Sequence, residues 1–204
     1  MAILVNNKNK LYVDDLDDTK TIKFNNLVRS EIDKLQPSIF GSLFSSDVKM
    51  NECFYNFSLS DETLYNNLPL EMIYIIKLAK NYFDKAGLKV NEYDGRITFK
   101  SCKYLKSPLK ISDLDIHIDN EEFEDTNTCI FYTEKSDTLK GGNLDIYLKY
   151  TFLQSIGWEK LEPFELKIKS GSVVVFDGNL YHCPQPCGGS GYRNIIIVNL
   201  STKK

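Results

Sequence analysis

Histidine is scarce in this chain, with two in 204 residues. Histidine is the commonest metal-ligating side chain and the usual general base, so such chemistry has two places to occur, His117 and His182. Long apolar runs are missing as well. No stretch approaches the roughly 18 residues of a membrane helix, and the short run Ala2-Ile-Leu-Val5 lacks the charged lead and long core of a signal peptide. No membrane association is expected. There is no basic excess, the net charge being −3, so nucleic acid is not expected as a partner. Five cysteines is an odd number, which argues against a disulfide framework and for reduced thiols in the cytoplasm. Repeats, low-complexity tracts and Gly/Pro/Ser-rich linkers are absent too. With 42% hydrophobic and 26% charged residues, ordinary globular values, the chain 1–204 reads most economically as one domain.

Its two halves differ in character. Between Pro69 and Ala86 the spacing predicts a helix, with Pro69 suited to the first turn and Gly87 to the position just past the end. Met72, Ile75, Ile76, Ala79, Tyr82, Phe83 and Ala86 fall on one face, which is core packing. Ser45 to Asn67 reads as loops with a short helix. From about Val90 the pattern becomes strand-like. Asp94-Gly95 is expected to form a turn between extended segments. Cys129 to Thr133, Asn143 to Leu148, Phe164 to Ile168, Ser172 to Phe176 and Arg193 to Leu200 read as short strands, with a turn at Lys169-Ser-Gly171. A mainly β fold follows. Residues 1–90 form a helical and irregular support, and residues 91–204 form a β-sandwich or jelly roll.

Both histidines sit where a metal would need them. In a strand, His117 and Asp119 of Asp113-Leu-Asp-Ile-His117-Ile-Asp119 project to the same side, roughly 7 Å apart at Cα. Asp115 is a rival carboxylate on that face. With His182 from a distant strand, two histidines and one carboxylate leave positions open on an ion, the site type of non-haem Fe(II) oxygenases. Eleven residues after His182, Arg193 heads Ile195-Ile-Ile-Val198, a run without a polar face and so normally buried on both sides. A guanidinium carried there needs an anion, and its planar fork matches a carboxylate. That carboxylate belongs either to an internal Asp or Glu or to a dicarboxylic cosubstrate whose other end chelates the metal.

The order His117-x-Asp119, Gly141-Gly142-Asn-Leu, Gly171-Ser-Val-Val-Val-Phe176-Asp-Gly, His182 and Arg193 resembles the Fe(II)/2-oxoglutarate-dependent dioxygenases, and more narrowly their prolyl 4-hydroxylase-like branch. The resemblance covers about Lys100 to Leu200. It implies a double-stranded β-helix, with His117, Asp119 and His182 holding Fe(II) and serving catalysis. It implies Arg193 on the distal carboxylate of 2-oxoglutarate, where many members of that branch carry Lys, and Tyr104 and Asn199 as further cofactor contacts. Fe(II), 2-oxoglutarate and O2 are the implied cofactors, with ascorbate as an additional one. The implied reaction hydroxylates a C–H bond and releases succinate and CO2. Because Asp119 occupies the carboxylate position, halogenation is not expected. The substrate implied is a protein or peptide residue such as proline. A free amino acid or other small molecule is the alternative, and a non-catalytic jelly-roll or cupin-like metal module is a third reading.

Other features carry less. Cys183 and Cys187 lack the partners of a zinc site and read as structural thiols. Gly188, Gly189 and Gly191 read as a flexible loop between His182 and Arg193, and Gly141-Gly142 as tight backbone passage near the metal strand. The acidic run Asn120 to Asp125 reads as a solvated loop at the mouth of the site, and Trp158 as a lid or a core plug.

Overall fold

Alternating side chains along paired strands dictate the architecture. The computed structural model describes residues 3–5, 10–34, 48–58, 65–107, 116–119, 126–147 and 163–202. The strands are β1 (Ile3–Val5), β2 (Leu11–Asp15), β3 (Val48–Phe57), β4 (Val90–Ser107), β5 (Thr126–Lys135), β6 (Lys140–Gly141), β7 (Leu144–Tyr147), β8 (Phe164–Leu166), β9 (Ser172–Asp177), β10 (Tyr181–Pro184) and β11 (Cys187–Thr202). The helices α1 (Asp18–Asp33) and α2 (Leu70–Lys85) accompany them among the described residues. The larger sheet is ordered β1-β2-β9-β5-β11-β4-β3, with β6 paired to β11, and the smaller is β10-β7-β8. All pairings are antiparallel.

One face of the large sheet is covered by the helices. Cys129 and Phe131 of β5, Val173 and Val175 of β9, and Ile196, Val198 and Leu200 of β11 pack with Phe24, Val28, Met72, Ile75, Ile76 and Phe83. Their strand neighbours Ile130 and Tyr132, Val174 and Phe176, and Ile195 point the other way and pack on Leu144, Ile146 and Leu166 of the small sheet. The period of two therefore separates an outer, helix-backed core from an inner core between the sheets, a jelly-roll arrangement. β11 lies centrally and is apolar on both faces, as its Ile-rich run requires.

α2 forms as the sequence predicts. Pro69 is its N-cap, Gly87 follows the end at φ 70°, and the apolar face is buried. α1 was not anticipated. It starts at the Asp17 cap, which accepts from the Lys20 amide at 2.8 Å, and buries little beyond Phe24, Val28, Glu31 and Ile32.

Several local expectations differ from the structure. Ser45 to Asn67 holds a ten-residue strand, β3, stabilised by pairing with β4 although its own sequence does not alternate cleanly. With β1 and β2, the first ninety residues thus supply three strands of the large sheet. Asp94-Gly95 makes no turn, since Gly95 lies within β4 opposite Leu200 and Phe57. A Cβ there would strike the Asn199 carbonyl, so close approach of β11 is what calls for glycine. Gly188, Gly189 and Gly191 belong to β11 rather than to a loop, pairing with β6 and β4 around an irregularity of register. Asp113, Asp115, the acidic run 120–125 and Trp158 lie outside the described residues. No helix among the described residues is long and apolar enough to cross a membrane.

Candidate metal centre and anion pocket

Two distant pieces of chain meet at the histidines. His117 does not lie in a regular strand among the described residues. It forms one antiparallel bridge with His182 of β10, each amide donating to the other's carbonyl at 3.0 Å. Directly opposed residues present their side chains on one side, and here the two imidazole centroids are 4.3 Å apart. Two residues on, Asp119 Oδ1 lies 3.9 Å from His117 Nε2 and 3.6 Å from His182 Nε2. One ligand atom from each of the three lies within 4.8 Å of the others. A point therefore exists no more than roughly 2.8 Å from all three, and shifts under about 1 Å reach the ~2.0–2.2 Å bonds typical of such ligands.

Each ligand is held by a second group. The Asp119 carboxylate accepts through Oδ2 from the Thr128 hydroxyl of β5, and Thr128 Oγ1 accepts from Asn199 Nδ2 of β11 at 3.0 Å. That chain leaves Oδ1 turned to the histidines. His182 lies tilted against Phe176, centroids 4.7 Å apart, and its Nδ1 lies 3.0 Å from the Leu180 carbonyl. A carbonyl only accepts, so Nδ1 carries the proton and Nε2 keeps its lone pair for an ion. Burial pulls the His182 imidazole below its ordinary range, Asp119 opposing this and His117 adding to it. A neutral, metal-competent imidazole results. His117 is 43% exposed at its side chain against 4% for His182, so the cluster opens to solvent on the His117 side.

The other end of the inner face of β11 carries Arg193, two alternations beyond Ile197 and Ile195. Its neighbours are Cys102 and Tyr104 of β4, Tyr132 of β5, and Cys187. Arg193 Nη1 lies 3.8 Å from Cys187 Sγ, and Nε is buried without a hydrogen-bond partner among the described residues. No described carboxylate pairs with this guanidinium. The phenols do not neutralise it either: burial pushes the Tyr104 hydroxyl up, and that of Tyr132 up to about 12. The result is a partly buried cation beside aromatic side chains. Gly142, at φ 66°, borders it, and a Cβ there would strike Cys187 Sγ.

The structure thus brings His117, Asp119 and His182 together and puts Tyr104 beside Arg193. Asn199, expected near the cofactor, lies six residues along β11 from Arg193 and backs the carboxylate ligand through Thr128. Gly141-Gly142 borders the arginine rather than the histidines. Thr128 went unnoticed in the sequence, because one threonine among alternating strand residues carries no signal of its partner.

No protein-family model and no curated protein sequence matches this chain. Solved structures do. A prolyl-4-hydroxylase of Pseudomonas putida superposes with TM-score 0.52 at 11% identity, over 97% of this chain and 95% of that one. A 2OG-Fe(II) oxygenase family oxidoreductase from Burkholderia pseudomallei gives 0.55 at 13%, over 91% and 79%. The non-heme alpha ketoglutarate dependent carbocyclase SnoK from nogalamycin biosynthesis gives 0.63 at 13%, over 95% and 80%. What this chain shares with them is the jelly-roll fold of the 2-oxoglutarate-dependent dioxygenases.

Proposed function

We propose that the chain is an Fe(II)/2-oxoglutarate-dependent dioxygenase that hydroxylates a C–H bond. One observation carries the reading: a two-histidine, one-carboxylate cluster and an arginine without a carboxylate partner among the described residues share the inner face of one jelly roll. The donor set fits Fe(II). It has two nitrogens and one oxygen, an orienting hydrogen bond to His182 and another to Asp119, and an open side for further ligands.

His117, Asp119 and His182 would hold the iron. Arg193, with Tyr104 beside it, would receive the distal carboxylate of 2-oxoglutarate in bidentate fashion and so aim its keto acid toward the histidines. Bound there, the iron and cosubstrate supply oxidation by O2, coupled to decarboxylation of 2-oxoglutarate to succinate and CO2. The residues themselves do the positioning. The Asn199–Thr128–Asp119 chain fixes the carboxylate, the Leu180 carbonyl keeps the Nδ1 proton of His182 in place, and Ile195 with Ile197 supplies the apolar side chains of β11 between the two ends.

For substrate we favour a protein or peptide residue such as proline, supported by the fold shared with prolyl-4-hydroxylase and by the solvent-facing side of the cluster at His117. The fold shared with SnoK favours a small molecule as second reading. None of the five cysteines forms a disulfide, which suits a reducing, cytoplasmic setting.

The test is succinate formation from 2-oxoglutarate by protein loaded anaerobically with Fe(II) and then exposed to O2. Turnover is expected, and Asp119→Ala should reduce it by a factor on the order of 100 through loss of metal. If the metal-loaded protein fails to bind 2-oxoglutarate, the oxygenase reading is wrong and a non-catalytic metal module takes its place.

A further inference from the structure

A second cation stands opposite Arg193, and one extra residue in β5 put it there. β11 pairs with β4 without interruption from Gly191 to Leu200, so its own alternation is regular. Its pairing with β5 is not regular. Ile195 faces Tyr132, but Asn194 faces Glu134, so Thr133 and Glu134 together oppose Asn194. This is a β-bulge. Without it, the alternation that turns Ile130 and Tyr132 inward would turn Glu134 inward as well and send Lys135 to the helix side. Glu134 would then meet Arg193 and neutralise it.

The bulge reverses both placements. Glu134 faces outward, where it accepts from Arg29 Nη2 at 2.9 and 3.1 Å, Asn25 Nδ2 at 3.0 Å and Asn194 Nδ2 at 2.7 Å. The Thr133 hydroxyl donates to the Asn194 carbonyl at 3.1 Å. α1 therefore holds the bulge from outside. Lys135 is the direct cross-strand partner of Arg193. The two converge on Gly142, where a Cβ would lie 3.7 Å from Arg193 Nη1 and 3.8 Å from Lys135 Cε. Lys135 Nζ donates to the Ile168 carbonyl at 2.8 Å and to Asn143 Oδ1 at 3.4 Å, which leaves one of its three protons for another acceptor. Burial lowers its pKa, with Cys187 opposing and Arg193 adding to the shift. Neither cation has an acidic partner among the described residues. Like charges set directly across a strand pair destabilise each other, and an anion between them removes that repulsion.

We propose that Lys135 is a second binding residue of the anion pocket, contacting the distal carboxylate of the cosubstrate together with Arg193. The assignment rests on the dioxygenase reading above. It also gives the chain both an arginine and a lysine for one carboxylate, with Glu134 excluded by the bulge.

The experiment is calorimetric titration of the Mn(II)-loaded full chain, without O2, using 2-oxoglutarate and 2-oxopentanoate. The second acid has the same chain length and no distal carboxylate. Wild-type protein is expected to prefer 2-oxoglutarate. Lys135→Met should weaken 2-oxoglutarate on the order of tenfold, leave 2-oxopentanoate unchanged, and be largely restored by Lys135→Arg. Equal loss of both acids, or no loss, would overturn the proposal by assigning Lys135 to structure alone. Wild-type protein that does not distinguish the two acids would instead remove the anion pocket, and with it the dioxygenase reading. Should Lys135→Met not fold, reductive methylation of the wild type decides. Modification of Lys135, read by mass spectrometry, should be slowed by 2-oxoglutarate and not by 2-oxopentanoate, and an unchanged rate would overturn the assignment.

Discussion

The two ends of the inner face of β11 are finished differently. At the Asn199 end the polar groups are chained to one another: Asn199 donates to Thr128, Thr128 to Asp119, and the His182 Nδ1 proton to Leu180. At the Arg193 end a buried Nε has no partner among the described residues, and two cations converge on Gly142. A buried charge left unpaired is costly, so a fold keeps one where something from outside completes it. On the proposed reading, the histidine end is organised by the protein itself in advance of an ion, and the Arg193 end is completed by a ligand.

The sharpest way to break this contrast is Arg193→Met. Affinity for 2-oxoglutarate should fall on the order of 100-fold, while the melting temperature of the ligand-free protein holds or rises, because an apolar side chain replaces an unpaired charge. A clear loss of thermal stability would mean that Arg193 serves the fold, and the two ends would no longer differ in kind. Thr128→Val acts at the other end and keeps the shape. It should lower Fe(II) affinity about tenfold or more in a competitive titration, as removal of a group orienting a ligand does. Denaturant unfolding should show a further loss of about 1–3 kcal/mol from the unpaired Asn199 amide. Unchanged metal affinity would make that hydrogen-bond chain incidental to the ligand. The smallest effect is expected on the helix-backed face, where Ile196 is fully buried. Ile196→Val should cost about 1 kcal/mol of stability and leave both ligand affinities as they were. A shift in 2-oxoglutarate binding there would show the two faces of β11 to be coupled.

Features with a local physical cause were legible before the structure. Short apolar runs marked Cys129 to Thr133, Ser172 to Phe176 and Arg193 to Leu200, and all three lie within strands. Helical spacing with Pro69 and Gly87 marked α2. The pairing of His-x-Asp with a single distant histidine marked a cluster that the fold does assemble. Features that depend on a distant partner were not legible. β3 carries Lys49, Asn51, Glu52 and Asn56 and is a strand because β4 lies beside it. Gly95 looked like a turn residue and is needed for the approach of Asn199.

Composition and periodicity by themselves determined the mainly β class and the apolar faces of the marked segments, because each follows from a repeat of two or 3.6 residues within one segment; the metal-type residues stood out by the scarcity of histidine and the His-x-Asp spacing. Only the tertiary structure decided which hydroxyl supports Asp119, that Asn199 serves the metal end, and that Lys135 rather than Glu134 faces Arg193. Those outcomes depend on strand register, and register is a relation between segments far apart in the chain. A single extra residue at Thr133 exchanges a carboxylate for an ammonium opposite Arg193, and nothing local to β5 announces it.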